Sequence, residues 1–397
     1  MHALIAEYYE RCRARFAGVV GIVSRGPLED VLPDLSDVDL RLLCDGVAPE
    51  EWSALDEAVL AVQRELAGRG SRECGLLQHP PGACMLLTEL SHPALLHPES
   101  RLWGWCAGDE AAREAAARAA AAPWSARDEA FHLARYLSAC GRCTPDPAAA
   151  GQPPRCRCRG ALVHYFLAAL ESACCLLEGR AVPGRLWALA RLAAERPANA
   201  TLNAAARLIR TGEGEHADTA ACPPFLHACR DVLHGLAPAV AAHLGMSEPD
   251  VGAALECLRQ RADAFPPDPL LTLYNAVRFS RVRRAHFRYY LGMGPEADWL
   301  VANELDTLRG LLLAPALGAY ASLACREQLT SEQALDRLGS RLPAEQMAAV
   351  QRLLAITREL ADPARSRALL AEAADLYPCY HPVLEYMLAG VLQEQLP

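Results

Sequence analysis

The stretch GIVSRGPLEDVLPDLSDVDL, residues 21–40, decides how this chain is read. An apolar run from Val19 to Val23 leads into Ser24, Arg25 and Gly26, and a turn-rich loop separates it from Ser36-Asp37-Val38-Asp39-Leu40. Val38, Leu40 and Leu42 alternate with Asp37, Asp39 and Arg41, the period-two pattern of a half-buried strand. Residues i and i+2 of a strand project to one face, so Asp37 and Asp39 are expected to point together beside the glycine turn. Two such carboxylates supply the hard oxygen ligands that Mg²⁺ prefers, leaving its shell open to water and phosphate. The glycine turn lets backbone N–H groups approach phosphate, and Ser24 and Arg25 can add direct contacts.

A strand, a Gly-x-x-Ser-Arg-Gly turn and an Asp-x-Asp strand, in this order, resemble the nucleotidyltransferase superfamily of the DNA polymerase β type. The nearest likeness is to its small-molecule, aminoglycoside-type members, which carry a helical C-terminal region. Gly21, Ser24, Arg25, Gly26, Asp37 and Asp39 match the family pattern. Ile22 stands where the family usually has Ser, and the loop before Asp37 is longer than in the shortest members. The resemblance covers residues 1–105. It implies an NTP substrate, two Mg²⁺ ions and transfer of a nucleoside monophosphate, with ATP the expected donor, to a small-molecule hydroxyl. Asp37 and Asp39 would be catalytic metal ligands, and Gly21, Ser24, Arg25, Gly26 and Ser36 would bind the nucleotide. The third carboxylate must come from a later strand. Glu89 is the expected residue, as metal ligand or general base, because it ends the apolar run ACMLLTEL. Arg185 follows a Gly/Pro break in a stretch similar to the family's helical part and is the expected further phosphate contact. The alternative is a catalytically inactive, nucleotidyltransferase-like binding or regulatory protein.

Outward from the motif, residues 3–17 read as a helix with Leu4, Ile5, Tyr8, Cys12 and Phe16 on one face, and residues 50–68 as another around Trp52, Leu55, Val59, Val62 and Leu66. Two short strands are expected near Cys74 to Gln78 and Cys84 to Leu90, joined by a hairpin loop from His79 to Gly82. From about residue 109 the pattern turns to Ala- and Leu-rich helices. One helix should end at Gly179 and the next begin after Pro183. The expected class is α+β, a small mixed-sheet nucleotidyltransferase core followed by a large all-α region. The expected domains are a catalytic core over 1–108, a helical acceptor-binding domain over 109–215 and a C-terminal all-helical domain over 216–397.

Composition narrows the chemistry further. The 397 residues are 52% hydrophobic, enough for a sizeable core. All 39 basic residues are Arg, which excludes a Walker lysine, a pyridoxal Schiff base and any lysine nucleophile. A net charge of -9 argues against nucleic acid as partner and for a small acceptor. The N-terminal residues carry charge too early for a signal peptide, and Gly310 to Cys325, the longest apolar run, contains Pro315 and reads as a buried helix rather than a membrane span. A cytoplasmic protein with reduced thiols is expected, its long helical portion leaving room for a homodimer interface. Cys140, Cys143, Cys156 and Cys158 could supply a structural zinc, but unligated thiols are the preferred reading. The arginines Arg278, Arg281, Arg283, Arg284 and Arg288, interleaved with Phe279, Phe287, Tyr289 and Tyr290, could grip an anionic or planar ligand, but an exposed charged face backed by aromatic core is the preferred reading.

Overall fold

A computed structural model describes residues 1–31, 37–71, 74–96, 98–122, 166–211, 268–326, 329–339, 341–359 and 365–395, with isolated residues between 124 and 133 and between 228 and 236. By their contacts they form two compact units. The first comprises Met1–Arg25, Val38–Ala121 and Pro267–Pro397, and the second Gly26–Asp37 and Ala122–Pro266. This division differs from the expected linear one, because the C-terminal helices belong with the N-terminal sheet.

The first unit begins with helix α1 (His2–Arg15), strand β1 (Val19–Arg25), strand β2 (Leu40–Cys44) and helix α2 (Trp52–Ala67). Strand β3 (Ala83–Leu86), the helical turn α3 (Leu87–Leu90), strand β4 (Trp103–Gly108) and helix α4 (Glu110–Ala120) follow. The four strands form one mixed sheet in the order β3-β2-β1-β4, with β1 antiparallel to β2 and β4 and β3 parallel to β2. The α+β class is therefore observed.

All five residues of β2 are buried, so both faces of the sheet need cover. Helix α1 packs on β1, β4 and α2, burying Ile5, Tyr8 and Cys12. On the other side Val23, Leu43, Ala83 and Met85 share one core with Leu273, Ala276 and Val277 of helix α8 (Pro269–Ser280) and with Tyr380, Leu384 and Met387 of the long C-terminal helix Ser366–Gln395. Each fully buried aliphatic side chain contributes about 1.5–3 kcal/mol relative to exposure, so the sheet and the distant C-terminus stabilise each other. The helical stretch Leu300–Ala324 is long and apolar enough by composition to cross a membrane, but Leu305, Leu308, Leu312, Leu313 and Leu317 are buried in this same core.

Two expectations about the sheet are corrected. Cys74–Leu76 is a 3₁₀ turn, not a strand, and its Leu76 carbonyl accepts the Val38 N–H at 3.0 Å. The loop from His79 to Gly82 therefore makes no hairpin; it delivers β3 to a parallel pairing in which Arg41 lies opposite Ala83. Second, the run ending at Glu89 is strand only as far as Leu86. The Glu89 carboxylate caps the Leu86 N–H at 2.8 Å, which starts a helical turn. The segment from Trp103 to Gly108 is a strand that no sequence expectation covered.

Gly21 has a structural role here. It lies inside β1 opposite Gly108, where a Cβ on Gly21 would meet the Ala112 Cβ at 3.0 Å and the Trp105 ring at 3.3 Å. Gly108 adopts φ +137°, and a Cβ there would lie 2.5 Å from both the Gly21 Cα and the Val20 carbonyl oxygen. Gly108→Ala is expected to cost about 2–3 kcal/mol through strain and backbone collision, read as a lowered urea midpoint with an unchanged m value.

In the second unit, helices α5 (Ala168–Glu178), α6 (Arg185–Glu195) and α7 (Ala200–Thr211) surround a core that includes Phe166, Leu170, Cys174, Cys175, Leu189 and Leu202. Helix α5 ends at Gly179 in the left-handed conformation, φ +67°, and α6 begins at Arg185, as the Gly/Pro break anticipates. Burial pushes the Cys174 and Cys175 thiols up to about 12, so both behave as small apolar side chains.

Candidate functional site

Register brings one end of every strand together: the C-terminal end of β1 and the N-terminal ends of β2, β3 and β4. The Arg25 N–H donates to the Asp39 carbonyl at 2.7 Å, extending the antiparallel pair one step beyond β2. At this end the side chains of Arg25, Asp39, Arg41, His79, Glu99 and Arg278 form one charged cluster. Asp39 lies 3.6 Å from Arg25, 3.7 Å from Arg41 and 3.5 Å from His79. Glu99, on the 3₁₀ turn Pro98–Leu102 that precedes β4, accepts Arg41 Nε at 2.8 Å and stands 3.7 Å from Arg25 and 3.8 Å from Arg278.

Exposure falls inward through the cluster. The Asp39 and Arg25 side chains are 26% and 25% exposed, whereas Arg41 and Arg278 are 4% and 1%. Burial acts to raise the Asp39 carboxyl, but His79, Arg41 and Arg25 outweigh it and hold the group well below the usual carboxylate range. Glu99 is drawn the same way, with burial overcome by Arg41, Arg278 and Arg25. Both carboxylates are therefore ionised at neutral pH. Gly82 makes room for the inner layer, since a Cβ there would lie 2.6 Å from Arg41 Nη1. Next to it the His79 and His286 rings lie 5.4 Å apart, and the carbonyls of Pro80 and Pro81 bond to them at 2.6 Å and 3.1 Å respectively.

The expected site residues are distributed unevenly. Arg25 and Asp39 are in the cluster. Ser24 is buried and donates its hydroxyl hydrogen bond to the Gly104 carbonyl at 3.3 Å, tying β1 to β4, and Gly21 packs against Gly108. Gly26, with φ +93°, and Asp37 belong to the second unit, whose boundary with the first falls between Arg25 and Gly26 and again between Asp37 and Val38. Strand β2 begins at Leu40, so both aspartates precede it. Arg185 is also in the second unit: its N–H donates to Asp30 Oδ2 at 2.9 Å, and its guanidinium lies 3.8 Å from Glu171. Ser36 lies outside the described residues, as do Cys140, Cys143, Cys156 and Cys158.

Glu89 does not take the place expected of it. It follows Leu86, which pairs with Cys44 at the far end of β2 from Asp39. Its oxygens are held by Arg281 Nη1 and Nη2 at 2.7 and 2.6 Å, with the Tyr274 hydroxyl donating at 3.2 Å. Glu99 is the carboxylate that joins Asp39. Glu99 sits in a 3₁₀ turn, where local pattern gives an acidic residue no strand role, and what marks it is its position just ahead of strand β4. The arginine stretch is corrected as well. Arg278, Arg281 and Arg283 are 1%, 1% and 5% exposed, with Arg281 also paired to Glu385 at 2.7 Å and Arg283 to Glu304 at 2.9 Å.

Asp39 is the one carboxylate of this cluster with room to ligate a divalent cation. Mg²⁺ commonly takes only one or two protein carboxylates beside phosphate and water. Asp39 is ionised, and Arg25, Arg41 and His79 stand 3.5–3.7 Å from it. Glu99 fits less well, since Arg41 approaches both of its oxygens, at 2.8 and 3.4 Å. No group of three or more His, Cys, Asp or Glu side chains suited to a metal occurs among the described residues. The chain matches no protein-family model, no curated protein and no solved structure.

Proposed function

We propose that the chain is a nucleotidyltransferase that moves a nucleoside monophosphate from an NTP, with ATP the first donor to test, to a hydroxyl of a small molecule and releases pyrophosphate. The observation that supports this reading most is the placement of an ionised Asp39 beside Arg25 at the end of β1, the junction where the family resemblance expects substrate phosphates. Asp39 would hold magnesium. When bound, the metal supplies charge neutralisation to the phosphate oxygens. Arg25 draws the polyphosphate by charge and by the planar donor fork that suits phosphate oxygens. Arg41 stands behind Asp39 and Glu99 and fixes both carboxylates. The net acidity of the chain favours a small acceptor over nucleic acid, and the reading is that of a cytoplasmic enzyme.

A second reading has its own support. Glu89 and Glu99 are both bound to guanidinium groups, which leaves neither in the role of general base and favours an inactive, nucleotidyltransferase-like binding protein. Mass spectrometry of reactions containing each NTP, Mg²⁺ and a panel of hydroxylated small molecules separates the two. The expected product is acceptor plus nucleoside monophosphate, with equimolar pyrophosphate. Nucleotide binding without any such product across the panel would favour the binding protein.

A further inference from the structure

Arg278 is the most deeply buried arginine of the cluster, and its hydrogen bonding is incomplete. At 1% exposure, its Nε and Nη2 make no hydrogen bond to the described residues. Nη2 points toward Glu99 from 3.8 Å, an ion-pair separation too long for a hydrogen bond. Burying a guanidinium whose donors are unpaired is costly, and such groups are normally satisfied by a carboxylate, a carbonyl or a bound anion. Arg281, one turn along, follows that rule with a bidentate carboxylate partner at 2.6 and 2.7 Å, whereas Arg283 has a carboxylate at 2.9 Å but its Nε is also without a hydrogen bond to the described residues. Charge leads to the same place, since Arg41 and Arg278 converge on Glu99 beside Arg25. Burial lowers the Arg278 guanidinium pKa against the opposing pull of Glu99, so the protonated side chain gains from a nearby anion.

We infer that Arg278, with Arg25 and Arg41, forms a phosphoryl-binding site reached from the side where Arg25 and Asp39 are partly exposed. A phosphate group there would accept hydrogen bonds from the Nε and Nη2 donors. Arg278 lies on α8, more than 200 residues from the Gly21–Leu40 motif, so the C-terminal helices contribute to the anion site itself. The inference shares its location with the proposed nucleotide site but does not require nucleotidyl transfer.

The test is calorimetric titration of the full chain in EDTA with pyrophosphate, inorganic phosphate, ATP and AMP. The wild type and the variants Arg278→Gln and Arg278→Lys are compared, with Arg358→Gln as an exposed control. Wild type and control are expected to bind pyrophosphate alike. Arg278→Gln should weaken binding about 10- to 100-fold, the scale of lost charge-assisted hydrogen bonds, and Arg278→Lys should fall between. ATP competing with pyrophosphate, with AMP silent, identifies the nucleotide tail as the source of the phosphoryl group. Pyrophosphate or phosphate binding without ATP competition identifies a free-phosphate site. Equal pyrophosphate affinity in wild type and Arg278→Gln, or no anion binding by the wild type, overturns the inference. If Arg278→Gln does not fold, wild-type hydrogen exchange decides: pyrophosphate must slow exchange across residues 269–280, and no change overturns it. Binding at Arg278 in a chain that makes no nucleotidyl product would sink the transfer reading alone. Transfer with Arg278→Gln unaffected in pyrophosphate affinity would sink this inference alone.

Discussion

Arg281→Met is expected to destabilise the first unit by about 3–5 kcal/mol, the cost of leaving buried carboxylates without their cation. Arg281 is 1% exposed, bidentate to Glu89 at 2.6 and 2.7 Å, bonded to Glu385 at 2.7 and 3.1 Å, and stacked 4.6 Å from the centre of the Trp52 ring. It therefore joins the turn after β3 to α2 and the C-terminal helix through one guanidinium. Denaturant titration would show the loss as a lower midpoint, and a loss below about 1 kcal/mol would mean that the two glutamates find other partners. The triple variant Arg281→Met, Glu89→Leu, Glu385→Leu should recover most of the deficit, because an apolar replacement of a buried ion network is often neutral or better.

The pH dependence has a definite sign. Burial acts to raise the Glu385 carboxyl, but Arg281 and His381 lower it from 4.5 to about 2 in the folded chain. A depressed folded value gives stability that is fully present above pH 4.5 and lost as pH falls toward 2. Arg281→Met removes that attraction. Its deficit relative to wild type should therefore be largest near neutral pH and shrink at low pH, as the attraction that lowers the Glu385 carboxyl in the wild type is lost.

Asp39→Asn is expected to cut nucleotidyl transfer by at least ~10³-fold, the scale of removing a charged group that acts at the reacting phosphate. The substitution keeps size and removes charge. Some folding stability should be lost at neutral pH, because the neighbours that depress the Asp39 carboxyl also stabilise the fold, but less than for a fully buried pair since Asp39 is 26% exposed. Metal-free pyrophosphate affinity should hold or rise, because one negative charge leaves the cluster. Intact transfer in Asp39→Asn would remove Asp39 from the chemistry, and a collapse of thermal stability would make its role structural. Replacing Glu89 offers the contrast. Glu89→Gln weakens the Arg281 network, so its first effect should be on the denaturant midpoint rather than on the pH profile of turnover.

What local pattern controls was legible before any coordinates. Amphipathic spacing located α1 and α2, and alternation located β2 but placed its start at Asp37, three residues before Leu40. Gly179 and Pro183 marked the α5–α6 break, while the apolar run around Pro315 proved helical and partly buried. These features depend on periodicity, capping and backbone restriction, all set by residues a few positions apart. Strand partners and the fate of buried charge depend on residues far apart in sequence. Parallel pairing of β3 with β2 carried Glu89 to the far end from Asp39. Pairing of β4 with β1, opposite Arg25 at Trp103, places the strand just after Glu99 at the site. An arginine-rich helix looks exposed in sequence because a charge left alone belongs in water. Only the tertiary structure supplied Glu89, Glu385 and Glu304 as partners that let Arg281 and Arg283 go inside, and only it left two donors of Arg278 buried without a hydrogen bond to the described residues.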